Sequence, residues 1–224
     1  MAHQLSFDLS ARPALGRDDL FVSPANAMAV ALMDSWPNWP ARKLALIGPR
    51  GAGKTHLAHV WAAQSGAQII SAAMLQQADI PTLARGPVAV EDVPAIADNP
   101  DAQNALFHLH NLTLAEGHSL LFTGHAEPQH WHLTLPDLAS RMQGTPVARL
   151  DAPDDALLSA ILMKLFADRQ IAPAPDLIPY VLRRMDRSFD AAQTVVARLD
   201  AAALDAGRPL TRRFAAQVLD NSEK

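Results

Sequence analysis

Gly48-Pro49-Arg50-Gly51-Ala52-Gly53-Lys54-Thr55 satisfies the pattern G-x-x-x-x-G-K-[ST], and its flanks are those the pattern requires. Immediately before it, Lys43-Leu44-Ala45-Leu46-Ile47 is a short apolar run ending in glycine, which reads as a buried strand. Immediately after it, Lys54 to Gln64 has a helical pattern, stopped by Gly66. Glycines let the backbone wrap a phosphate, with N–H groups and the N-terminus of the following helix pointing inward. Lys54 supplies a point charge for the outer phosphates, and the Thr55 hydroxyl suits a magnesium ion. Gly48, Pro49, Arg50, Gly51, Ala52, Gly53, Lys54 and Thr55 are therefore expected to hold the phosphates of a nucleotide, ATP or ADP, with Mg2+. Few folds can accommodate such a strand–loop–helix unit.

The rest of the chain extends the same alternation. Ser23-Pro24 opens a helical stretch over Ala25 to Ser35, with Ser23 the expected N-cap and Pro24 the first helical residue; Pro37 and Pro40 close it. Further strands are expected at Gln68 to Ile70, Val88 to Val90, Leu120 to Thr123 and Val147 to Leu150, with a brief helix around Met74 and a longer one over Asn99 to Glu116. Strands alternating with helices imply a parallel sheet covered on both faces. From Asp151 the strand signal stops. Ala156 to Arg169, Asp176 to Met185, Phe189 to Ala206 and Thr211 to Leu219 all read as amphipathic helices.

Composition excludes several classes. Nineteen basic against twenty-three acidic residues, a net charge of -4, do not describe a polybasic binder of nucleic acid, and no sequence-specific DNA contact is expected. There is no cysteine, so disulfides and thiolate metal sites are ruled out. The first residues lack the basic start and apolar run of a secretion signal, and no run approaches the ~18 apolar residues of a membrane helix. A cytoplasmic protein without membrane contact is the expectation. Of the nine histidines, His108 and His110 sit two apart in a helical pattern and point to different faces, a poor metal pair. His56 and His59 are expected to be packing or surface residues.

Two further runs complete a candidate site. Val88-Ala89-Val90 leads into Glu91-Asp92, an acidic pair at the end of a strand; one carboxylate suits the magnesium shell and the other an attacking water. Leu120-Leu121-Phe122 leads into Thr123-Gly124 and His125. Ligands of parallel sheets sit at the carboxyl ends of strands, which makes Thr123 a candidate γ-phosphate sensor. The catalytic candidates are thus Glu91, Asp92 and Thr123, with Thr55 and Glu91 as the magnesium candidates.

These segments, with Leu135-Pro136-Asp137-Leu138-Ala139-Ser140-Arg141-Met142, Gly53 to Ala58 (GKTHLA) and Phe21 to Val30 (FVSPANAMAV), resemble AAA+ ATPases of the bacterial replication-initiator DnaA family over about residues 20 to 220. The resemblance implies an α/β P-loop NTPase: a parallel five-stranded sheet with flanking helices over residues 21–151, then a small all-helical lid over 152–224. It places Phe21, Val22 and Asn26 at the adenine side. It matches Arg141 to the arginine finger, a fourth catalytic candidate, and Arg187 to the lid arginine called sensor II. A guanidinium is a permanent planar cation suited to phosphate oxygens, so both matches make chemical sense.

Within that family the sequence is similar to the Hda-like branch. The sequence stops at Lys224, right after the expected lid helices and with no helix-turn-helix segment, only Ser71 to Pro87 separates the second and third strands, and the acidic pair is Glu-Asp rather than Asp-Asp. Residues 1–20 form an N-terminal arm in which Gln4-Leu5-Ser6-Phe7-Asp8-Leu9 is similar to a sliding-clamp-binding peptide. Such a peptide places Leu5, Phe7 and Leu9 in an apolar groove while Gln4 caps a polar corner. The resemblance implies a regulator of replication initiation that docks on the sliding clamp and promotes ATP hydrolysis on a DnaA-type initiator. The alternatives are a self-sufficient AAA+ ATPase, such as a helicase or clamp loader working as a homo-oligomer, and a nucleotide-gated adaptor.

Overall fold

The structure is a computed structural model and describes residues 21–220. The elements follow in order: α1 (Ala27–Asp34), β1 (Lys43–Ile47), α2 (Lys54–Ser65), β2 (Gln68–Ser71), α3 (Ile80–Leu83), β3 (Val88–Glu91), α4 (Pro100–Ala115), β4 (Leu120–Gly124), α5 (Pro136–Gln143) and β5 (Val147–Arg149). Four helices come last: α6 (Asp155–Ala167), α7 (Leu177–Leu182), α8 (Phe189–Ala206) and α9 (Arg212–Asp220).

All five strands are parallel, in the order β2-β3-β4-β1-β5. The central strands are buried end to end, as a sheet covered on both faces demands. Alternate residues feed two separate cores. Ala45, Ile47, Val88, Val90, Leu120 and Phe122 face one side and pack with Leu106, Leu109 and Leu138. Leu44, Leu46, Ala89, Leu121 and Ala148 face the other and pack with Val30, Leu57 and Trp61. There Trp61 stacks on Trp39 at 5.1 Å and meets Trp36 edge-on at 6.2 Å. The last four helices enclose a third core around Leu162, Phe166, Leu177, Val181, Val196 and Leu199.

Side-chain caps open several helices. Asn99 accepts from the Ala102 N–H, Asp154 from Leu157 and Ser188 from Ala191, opening α4, α6 and α8. The entry to α1 differs from expectation. Asn26, not Ser23, occupies the cap position, because residues 24–26 form a turn ahead of the helix. The Ser23 N–H donates to Asn26 Oδ1 at 2.8 Å, and Asn26 Nδ2 donates to the Phe21 carbonyl at 2.9 Å. This turn folds back on the junction before α6, where the Asp151 N–H donates to the Ala25 carbonyl. Among the described residues, no helix is long and apolar enough to cross a membrane.

Candidate nucleotide site

At the carboxyl edge of the sheet, β1, β3 and β4 deliver their ends to one place. A cleft of 960 Å³ is lined by Arg50, Gly51, Gly53, Lys54, Thr55, Glu91, Asp92 and Thr123, together with His56, His59, Ser71 and His125. Eight of the residues singled out in the sequence thus converge there. Gly51 and Gly53 adopt φ of +72° and +95°, a region that side chains disfavour, and so shape the loop into α2. Lys54 Nζ donates to the Gly48 and Pro49 carbonyls at 2.8 Å each, folded over the loop. Burial pulls its pKa below the ordinary lysine value, while Asp92 and Asp190 push it back up.

The acidic pair divides in two. Glu91 Oε1 is buried and has no hydrogen-bond partner among the described residues, an unsatisfied acceptor at the wall of the cleft. Asp92 is exposed, in left-handed backbone geometry at φ 54° that short polar residues tolerate best. Its N–H donates to Thr123 Oγ1 at 2.9 Å, so Thr123, 3% exposed, ties the end of β4 to that of β3. Residues on this edge fit a nucleotide phosphate chain and a divalent cation: an unpaired buried carboxylate oxygen, the exposed Thr55 hydroxyl, and a lysine with only carbonyl partners.

The helical region closes the cleft. Phe189, Asp190 and Gln193 of α8 line it, and the Phe189 N–H donates to the Gly51 carbonyl at 3.1 Å. A Cβ on Gly51 would stand 2.3 Å from the Ser188 Cβ, and one on Gly53 would stand 3.2 Å from the Phe189 ring. Only glycine fits at Gly51. An adjoining cavity of 680 Å³ is lined by Arg50, Gly51, Arg184, Met185, Arg187 and Asp190 among others. Arg187 reaches that cavity but pairs with Asp155 at 2.9 Å.

Other residues from the sequence reading lie elsewhere. Phe21 and Val22 are 46% and 50% exposed and, with Asn26, line neither the cleft nor the cavity. Arg141 is exposed on the last turn of α5, beside the start of β1, at the edge of the sheet opposite the cleft. Gln4, Leu5, Phe7 and Leu9 fall outside the described residues. His56 and His59, expected as packing or surface residues, are half-buried and line the cleft. Their i, i+3 spacing one step past Thr55 was the available signal. Nothing local to Asp190 or Gln193 announces that α8 reaches the loop.

No protein-family model matches the chain. In structure it is similar to domain III of the Thermotoga maritima replication initiation protein DnaA, with a TM-score of 0.77 and 18% identity over 93% of this chain and 97% of that one. It is also similar to AMPPCP-bound DnaA from Aquifex aeolicus, at 0.70 and 16% identity over 86% of this chain and 67% of that one. A third likeness is to the Thermotoga maritima RuvB Holliday junction branch migration motor, at 0.64 and 17% identity over 80% and 61%. The strand order, the loop between β1 and α2 and these likenesses identify the fold as that of an AAA+ P-loop NTPase.

Proposed function

We propose that the chain is a replication regulator of the Hda-like kind. In this reading it holds ATP or ADP between the phosphate loop and the helical lid, docks on the sliding clamp through residues 4–9, and lends Arg141 to ATP bound by a DnaA-type initiator. The observation that carries the reading is a separation: the phosphate-binding groups share one cleft, while Arg141 stands at the other edge of the sheet. A cation that cannot serve its own cleft is suited to a neighbour's, which makes hydrolysis depend on assembly. The DnaA and RuvB likenesses support a nucleotide-binding AAA+ role in DNA transactions.

Each residue has a task in this scheme. Backbone N–H groups from Gly51 to Thr55 and the N-terminus of α2 receive the β-phosphate, and Lys54 turns from its carbonyls to the outer oxygens. Thr55 and Glu91 would hold Mg2+, which supplies charge neutralisation at the phosphates. Thr123 keeps Asp92 in place by accepting its N–H. Arg187 exchanges an exposed ion pair with Asp155, worth little, for phosphate. Phe21 and Val22, exposed beside the junction and outside the cleft, are offered to the adenine in this reading, with Asn26 holding their turn.

One observation favours a second reading. The unsatisfied Glu91 Oε1 in the cleft suits a carboxylate that works on the chain's own nucleotide, as in a self-sufficient ATPase. The test is ATP hydrolysis by the isolated protein, then in a mixture with clamp and ATP-loaded initiator. The regulator reading expects turnover in the mixture well above the sum of its parts. High turnover alone supports the self-sufficient ATPase, and no turnover in either supports the adaptor.

A further inference from the structure

Arg141 lies in the last turn of α5, where carbonyls have no partner inside the helix. Its own carbonyl accepts two bonds from outside the helix: Lys43 Nζ at 2.7 Å, and Thr145 Oγ1 at 3.0 Å. Lys43 is the first residue of β1 and only 7% exposed. Among the described residues no carboxylate forms an ion pair with it. Burial first, and then the charge of Arg141, hold its pKa below the ordinary lysine value. Lysines in such places are normally paired or absent, because an ammonium taken from water without a counter-charge is costly.

Beyond the Arg141 carbonyl, no group among the described residues offsets this charge. His110, 2% exposed, has an unpartnered Nε2, and burial pushes its pKa down to about 4, so it stays neutral. Meanwhile the Arg141 guanidinium lies 5.0 Å over the Phe107 ring of α4. The arginine is held at both ends: its backbone by a buried cation, its head by an aromatic face.

We propose that Lys43 is a positioning residue for Arg141: its ammonium ties the end of α5 to the first residue of β1 and fixes the point from which the guanidinium reaches a phosphate on a neighbouring subunit. This rests on the reading that Arg141 acts in trans. A finger adds rate only if it is already in place when charge develops, and a misplacement of about 1 Å costs on the order of 10²-fold. β1 is buried throughout its length and flanked on both sides, a firm anchor. Lys43 is four residues ahead of Ile47, ~13 Å along the strand, so its charge serves no purpose at its own phosphate loop.

The test is a titration of the full chain into clamp plus ATP-loaded initiator, comparing wild type, Lys43→Met, Lys43→Arg, Thr145→Val and Arg141→Ala. Lys43→Met keeps the stem and deletes the donor. The maximal stimulated rate should fall at least tenfold, with half-saturation and the variant's own ADP affinity unchanged. Lys43→Arg, which restores a cationic N–H, should recover most of the rate. A wild-type maximal rate in Lys43→Met overturns the proposal, as does a loss that Lys43→Arg leaves unrestored. Should Lys43→Met fail to fold, Thr145→Val decides: a severalfold lower maximal rate at unchanged half-saturation supports the proposal, and an unchanged rate overturns it. Arg141→Ala separates the two failures. If it is inactive while Lys43→Met is normal, only the positioning role falls; if it stimulates like wild type, the trans reading falls and takes this proposal with it.

Discussion

The two edges of the sheet are built from opposite materials. At the carboxyl edge, three strands end in polar groups that line one cleft: the glycine loop, the exposed Asp92 beside the unsatisfied Glu91, and the Thr123 hydroxyl, with α8 laid over them. At the amino edge, a buried lysine, a buried neutral histidine and an aromatic ring surround one exposed arginine. The first edge offers an anionic ligand both donors and carboxylates. The second is a dry mount for a single outward cation. A chain serving only its own nucleotide needs the first alone; the second makes sense when the nucleotide belongs to a neighbour.

The comparison breaks most sharply at Arg141. Arg141→Ala should lower stimulated hydrolysis in the clamp and initiator mixture by ~10³, about 4 kcal/mol in the barrier. A phosphate-release assay checks it, and a rate within threefold of wild type would remove the amino edge from the chemistry. At the carboxyl edge, Lys54→Ala should weaken ADP or ATP binding at least tenfold, about 1.4 kcal/mol or more, by calorimetry. Stimulation should fall with it only as far as bound nucleotide is needed to hold the lid on the loop.

A third effect, read in stability rather than in rate or affinity, concerns the dryness of the amino edge. His110 has a folded pKa of about 4, below its ordinary 6.5. As pH falls through that interval, the unfolded chain takes up a proton that the folded protein refuses, so stability is full above pH 6.5 and declines toward pH 4. The loss is on the order of 3 kcal/mol. Urea midpoints followed from pH 7 to 4 should show this slope in wild type and a flatter one in His110→Leu. Equal slopes would mean that water reaches this histidine in the folded state.

Much of the scaffold was legible because burial patterns are local. Lys43–Ile47 and Phe189–Ala206 stand where the sequence placed them, as an apolar run before glycine and a helix between Ser188 and Gly207. The phosphate loop was legible because its chemistry demands consecutive residues. The entry to α1 was not: Asn26 outcompetes Ser23 through bonds to Phe21 and Ser23 that depend on the fold of the turn. The order of strands was not legible either, since β1 pairs with β4 and β5, partners far from it in sequence. Lys43 illustrates the limit best. In sequence it merely opens a strand, and only the 98-residue gap closed by its bond to Arg141 reveals a partner.

The central claim is that the two edges serve different nucleotides, and ADP binding to Arg141→Ala tests it most directly. Calorimetric titration of ADP into wild type, Lys54→Ala and Arg141→Ala should give an affinity for Arg141→Ala within twofold of wild type, beside the tenfold or greater loss in Lys54→Ala. A comparable loss in Arg141→Ala would place that arginine on its own nucleotide and contradict the account.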